Sequence, residues 1–183
     1  SGIGNPSQHL INSTYVVVPV TYVYTVTANG CSNVQNVTVD VNPTPKLNPP
    51  FTGTVCSGSP FHYAPTSYTP GALYTWNRPL VNHITPPTNF KPTGNGVIDE
   101  VLWNDQLTPV YVDYIFRLAV NGCTNLITQT VKVKVNPTPQ TPDIVVFPSE
   151  NLCAGTLFQN FGTSFVQNGV TYMWTATNAD VVA

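Results

Sequence analysis

The chain has 183 residues, only 8% of them charged, and a formal net charge of −2. So few charges exclude a polybasic nucleic-acid surface, which needs clustered Lys and Arg, and they give no support to a polyanionic, calcium-loaded repeat. No apolar run of about 18 or more residues occurs, so no membrane-spanning helix is expected; the 18 prolines, nine tyrosines and single methionine suit strands and turns.

In chain order, Gly2-Ile3-Gly4 reads as a turn leading to one strand through Leu10-Ile11. A Gly-x-Gly pair can mark a phosphate loop, but no helical pattern follows it here. From Val20 to Thr27 the chain alternates, with Tyr22, Tyr24 and Val26 on one face, which predicts a half-buried antiparallel strand. Asn29-Gly30 predicts a hairpin turn, because both residues accept positive φ at little cost. Cys31 follows at the tip, and Val37, Val39 and Val41 mark the returning strand. Asn42-Pro43-Thr44-Pro45 ends the ladder, since proline has no amide donor, and predicts a stiff extended spacer.

Cys56-Ser57-Gly58 then predicts a turn entering a strand at Phe61-His62-Tyr63. Pro70-Gly71 breaks the chain before a short strand, Leu73 to Trp76. Trp76 is read as a side chain packed across two sheets, in preference to a carbohydrate platform. Residues 78–96 read as an irregular crossing, and residues 97–103 as a further strand. The face of Trp103 is ambiguous, although Ile11 at the matching place suggests a buried apolar slot. Tyr114, Phe116, Leu118 and Val120 should point inward, with Asp113 and Arg117 outward. Asn121-Gly122 repeats the hairpin signal, again with a cysteine, Cys123. Val131, Val133 and Val135 form the inner face of the last strand. Lys132 and Lys134 form its solvated face, where they would discourage edge-to-edge pairing. Asn136-Pro137-Thr138-Pro139 repeats the exit.

The chain is thus self-similar, a property that governs every other reading. Gly2 to Cys31 aligns without gaps on Gly94 to Cys123, an offset of 92; two residues then enter, and Val41 to Pro45 falls on Val135 to Pro139 at offset 94. The earlier part recurs as well: Cys56-Ser-Gly-Ser-Pro-Phe61 matches Cys153-Ala-Gly-Thr-Leu-Phe158, and Tyr74-Thr-Trp76 matches Tyr172-Met-Trp174. Residues 1–45 read as the closing half of one repeat, 46–139 as a complete repeat and 140–183 as the opening half of a third. The expected core includes Trp76, Trp174, Tyr22, Tyr114 and Phe116, and the chain is expected to be a piece of a longer polypeptide.

This succession of Cys-x-Gly, Tyr-x-Trp, Tyr-x-Phe/Tyr with Asn-Gly-Cys, and Val-x-Val-x-Val-Asn-Pro-x-Pro resembles the PKD-like repeat. That immunoglobulin-like module occurs in tandem in very large Bacteroidota surface proteins, including gliding-motility adhesins and other proteins exported by type IX secretion. The resemblance implies a seven-stranded antiparallel β-sandwich, export to the cell surface and a role as stalk, filament or adhesin. The implied partners are neighbouring repeats of the same chain, surface polysaccharide or other surface proteins. It implies no catalytic residue and no cofactor. The chain lacks the family's Asp-Gly-rich turn after the Trp strand.

Two cysteines per repeat in a Pro/Thr/Asn-rich β chain suit an oxidising, extracellular setting. A metal site would need close-spaced ligands, which are absent. The resemblance suggests a disulfide between Cys56 and Cys123, constraining the unfolded chain by about 4 kcal/mol. Immunoglobulin wiring would set these two residues at opposite ends of the sandwich. In the alternative, the first-turn cysteine of one repeat meets the hairpin-tip cysteine of the next, which gives Cys31, Cys56, Cys123 and Cys153 partners outside this stretch.

His9, His62 and His83 show no metal-ligand spacing, and no local motif assembles a nucleophile with a base. Asp99-Glu100 with Asp105 is the one acidic cluster, but the first copy carries Ser7-Gln8 and Ser13 there. Two sequons, Asn12-Ser-Thr14 and Asn36-Val-Thr38, would matter only in a eukaryotic secretory pathway. The alternative function is carbohydrate binding through Trp103 with Tyr63, Tyr68 and Tyr74, or a spacer in a secreted hydrolase.

Overall fold

In a computed structural model of the chain, the residues described are 2–85 and 90–140, together with 144–145, 153, 162–163, 170–171 and 173. The chain divides into two units, Ser1–Pro137 and Thr138–Ala183. In the second, β13 (Ile144–Val145) pairs antiparallel with β14 (Gly162–Thr163). Trp174, expected in a core, lies outside the described residues.

The first unit is all-β, and no helix occurs among the described residues. It opens with a hairpin of β1 (Val18–Ala28) and β2 (Cys31–Val41), paired without interruption from Ala28↔Cys31 to Val18↔Val41. The strands β3 (Thr52–Cys56), β4 (Pro60–Tyr63), β5 (Leu73–Asn77), β6 (Ile84–Thr85), β7 (Thr93–Asn95), β8 (Ile98–Val101), β9 (Trp103–Asn104), β10 (Val110–Val120), β11 (Cys123–Thr124) and β12 (Gln129–Asn136) follow. The main sheet runs β3-β12-β10-β5-β7, with β11 also on β10, while β4–β8 and β6–β9 form two short ladders.

The core lies between the main sheet and these ladders, as in a β-sandwich. Alternation on β10 buries Val112, Tyr114, Phe116, Leu118 and Val120 and turns Arg117 out, as its sequence predicts. From the facing layer, Phe61 stacks on Tyr114 with ring centroids 5.9 Å apart, and Tyr63 packs on Phe116 at 5.8 Å. Trp76 meets Tyr114 edge-on and is buried, the core role read for it. Its indole occupies the space over Gly94, where an added Cβ would lie 2.2 Å from the ring. Only glycine lets β7 pair so close beside Trp76.

Several expectations are corrected. The sheet is not wholly antiparallel: β3 pairs parallel with β12, from Thr52↔Lys132 to Cys56↔Asn136. Because β3 covers one side of β12 and β10 the other, β12 is an inner strand, and Lys132 and Lys134 guard no edge. Residues 78–96 are not wholly irregular, since β6 and β7 lie there. Residues 97–103 are not one strand: Leu102 points fully into the core between β8 and β9. The strand expected near Leu10-Ile11 does not form. Tyr22, expected in a core, is half-buried, because the β1–β2 hairpin is a two-stranded sheet of its own.

Residues 92 apart nevertheless share local structure. β1 and β10 occupy matching ranges. Asn29 and Asn121 have φ of 51° and 47°, and Gly30 and Gly122 follow at 81° and 79°, a hairpin turn with two successive left-handed residues. Asn12 Nδ2 donates to the carbonyls of Val16 and Val41, both at 2.7 Å. Asn104 Nδ2 donates to those of Thr108 and Val135, both at 2.9 Å. The side-chain oxygen of each accepts an amide two residues on, from Thr14 and from Gln106. Likewise the Tyr22 hydroxyl donates to Gln8, and the Tyr114 hydroxyl to Glu100.

Candidate functional site

The most elaborated feature outside the core is the passage from β2 to β3. Its Pro-rich exit is a docked segment, not a bare spacer: Pro43, Pro45 and Leu47 are buried. What receives it is a defect in the β10–β12 hairpin. The pairs Val120↔Cys123 and Ala119↔Thr124 lie two residues out of register with Phe116↔Gln129, so Arg117 and Leu118 face four residues, Asn125 to Thr128. These are the two additional residues that separate the repeats in sequence; β1–β2, lacking them, pairs regularly.

The extra length turns Asn125 inward. Its amide donates to Leu118 O at 2.8 Å, its Oδ1 accepts from Ile127 N at 2.9 Å, and its Nδ2 donates to Pro45 O at 2.9 Å. Gln129 bonds Leu47 twice, its Oε1 accepting from the amide and its Nε2 donating to the carbonyl. At the hairpin tip Asn121 Nδ2 donates to Asn42 Oδ1 at 3.0 Å. A proline segment offers carbonyls and no amides at its prolines, so amide-bearing side chains are the fitting receivers. None of Asn42, Asn121, Asn125 and Gln129 stood out in sequence as a functional residue, although Asn42 and Asn121 lie inside the repeated phrases.

The cysteines do not pair as the resemblance suggests. Cys31, Cys56 and Cys123 are free and exposed, and Cys153 is exposed. Cys56 sits beside Asn136, at the end of the sheet where β10 begins, and Cys123 beside Val120, where β10 stops. The strand Val110–Val120, at roughly 3.3 Å per residue, separates them by about 30 Å. A disulfide needs Cα atoms within about 7 Å.

Trp103 is 50% exposed on β9 and rests on Gly58, where an added Cβ would meet its ring at 2.8 Å. The buried slot suggested for it does not exist, since Ile11 is exposed as well. Of the other aromatics read as a possible binding set, Tyr63 is in the core with its hydroxyl on Pro50 O, Tyr74 is half-buried, and Tyr68 is exposed against Tyr15.

The acidic cluster disperses. Asp99 pairs with His62, Asp105 with His83 and Gln106, and Glu100 turns into the protein. The Gln106 hydrogen bond and the neighbouring His83 hold the Asp105 carboxyl below its usual range. Among the described residues, no group of three or more His, Cys, Asp or Glu side chains converges as metal ligands would. Glu100 instead meets Arg78, whose Nε lies 3.1 Å from Oε2, off the alignment of a hydrogen bond. Arg78 is buried and its guanidinium lies 4.5 Å from the Phe90 ring centroid. The Tyr114 hydroxyl completes the group, donating to Glu100 at 2.7 Å. Burial first, then that carboxylate, push the Tyr114 hydroxyl far above the usual tyrosine range. A docked proline segment and a buried ion pair are what this arrangement provides. No family model and no curated protein sequence matches the chain.

Proposed function

We propose that the chain is a stretch of tandem, immunoglobulin-like PKD-type modules forming a load-bearing stalk or filament of a secreted cell-surface adhesin, without catalysis. Residues 46–139 make one module, 1–45 the closing half of the one before it, and 140–183 the opening half of the next. The observation that carries this reading is the parallel pairing of β3 with β12. These are the first and last strands of that module's main sheet. Force applied along the chain therefore loads their ladder in shear, so its bonds must fail together instead of one after another. The docked junction at Asn125 supports the same reading, because it limits bending between the hairpin and the module. Matching hydrogen bonds of Asn12 and Asn104 support the repetition.

Single-molecule pulling on the ends of the chain tests this. The module should unfold in one high-force step. Hydrogen bonds from Lys132 N to Phe51 O and from Ser57 N to Asn136 O show that odd-numbered residues of β3 face β12. Val55→Pro removes a ladder donor there and should lower the force sharply. Extension without a resolved force peak would contradict the proposal.

The exposed indole of Trp103 favours a second reading, a carbohydrate-binding or spacer module of a secreted multidomain hydrolase. Binding to a glycan array that is lost in Trp103→Ala would support it, and no binding by either protein would dismiss it.

A further inference from the structure

The outer face of the main sheet carries a groove that the load-bearing role does not use. It is open to solvent, holds about 550 Å³ and crosses from β10 over β5 to the edge strand β7. That volume is in the ordinary range of ligand sites. Two cross-strand rows line it, Arg117, Thr75 and Asn95 in one and Ile115, Asn77 and Thr93 in the other. Neighbours within a row sit on strands about 4.8 Å apart.

The lining is polar and its groups are largely unused. The side chains of Asn77, Thr93 and Asn95 make no hydrogen bond among the described residues. Thr75 Oγ1 donates to Arg117 O at 3.2 Å and keeps its acceptor sites. Ile115, half-buried, supplies one apolar patch in the floor.

The face is also cationic, on a chain whose net charge is −2. Arg117, Lys132 and Lys134 point out from it, alternating with the buried residues of β10 and β12, and they are three of the chain's six Lys and Arg residues. Asp113 is the one carboxylate on these strands' outer face, and Lys132 takes it at 3.5 Å. Arg117 and Lys134 have no carboxylate partner among the described residues. The fold does not require these charges, because Thr25 and Asp40 hold the matching places on the β1–β2 hairpin.

We propose that this groove binds a carboxylated polysaccharide, one built of uronic acids, with Arg117 as the residue that takes the carboxylate. A guanidinium accepts a carboxylate as a planar two-pronged pair. Asn and Thr side chains both donate and accept hydrogen bonds, as sugar hydroxyls do, and Ile115 offers a surface to the C–H face of a sugar ring. An acidic peptide in extended form would seek backbone partners, which a sheet offers along its edge and not on its face. The site is separate from Trp103, which lies on β9 in the other layer, and it does not depend on the modules being repeated.

Calorimetric titration of the full chain with hexamers of galacturonate, mannuronate and glucuronate tests the proposal, with the matching neutral hexoses and poly-glutamate as controls. At least one uronate hexamer should bind, and its neutral counterpart and poly-glutamate should not. Raising NaCl from about 0.05 to about 0.5 M should weaken the binding, because the groove is open to solvent. Arg117→Gln should lower affinity by about tenfold or more with an unchanged urea midpoint, since Arg117 is exposed. Arg117→Lys keeps the charge without the fork and should lose less. Trp103→Ala should bind as the wild type does. Failure of all three uronates to bind, affinity that survives Arg117→Gln or is lost in Trp103→Ala, or equal binding of poly-glutamate would overturn the proposal.

Discussion

Asn125 and Pro45, eighty residues apart, are joined by a buried hydrogen bond of 2.9 Å from side-chain amide to carbonyl. The bond exists because two extra residues in the β10–β12 hairpin fold Asn125 inward. Asn125→Ala leaves both Pro45 O and Ile127 N without their partner. Its expected cost is about 1–3 kcal/mol, read as a lower urea midpoint. Faster amide exchange should appear around Leu47 and Ile127 before global unfolding.

Asn104 and Asn12 make the same bonds in unequal surroundings. Asn104 is buried, whereas Asn12, beside the lone hairpin, is half-buried. Water can replace what Asn12→Ala removes, but not what Asn104→Ala removes. Urea denaturation of the whole chain should show a loss of about 2–3 kcal/mol for Asn104→Ala and under about 1 kcal/mol for Asn12→Ala. Equal effects would mean that the difference in burial between the two sites does not set the cost.

The Arg78–Glu100 pair should show the asymmetry of buried ions. Arg78→Met strands a carboxylate that is only 10% exposed and should cost about 3–5 kcal/mol. Arg78→Met with Glu100→Leu removes both charges and should recover much of that loss. Thermal melts of the two variants and the wild type make the comparison, and a double variant worse than the single would refute it.

Alkaline pH should unfold the module through its tyrosines. Burial raises the hydroxyls of Tyr114, Tyr63 and Tyr74 above their ordinary value. The folded state then keeps protons that the unfolded chain releases. Stability from this source is fully present below about pH 10, the unfolded value, and is lost as pH rises through the folded values. Absorbance of tyrosinate should therefore rise together with loss of structure. Ionisation of all nine tyrosines while the fold persists would contradict the assignment.

Local features were legible in the sequence. Alternation on β10 and the Asn-Gly turns depend on near neighbours, so Tyr114, Phe116 and the tip cysteines were placed correctly. What depends on distant pairing was not. The parallel β3–β12 ladder joins Thr52 to Lys132, and no local pattern encodes its direction. Trp103 misled because Ile11 at the matching place suggested an apolar slot, whereas Ile11 is itself exposed and the phase set by Ile98 and Leu102 turns Asn104 inward. A signal for Asn104 was present: a polar residue repeated at Asn12, beside an apolar pattern. Arg78 stood in a stretch read as irregular, and its ion pair needs Glu100 from another strand.

Residual dipolar couplings measured on both sides of the Pro-rich junction test the central claim most directly. If Asn125 and Gln129 hold the junction as described, couplings from residues 18–41 and from residues 52–136 will fit one alignment tensor in the wild type and separate tensors in Asn125→Ala. Two independent tensors in the wild type would mean that the junction bends freely, and a stiff load-bearing array could not be built from it.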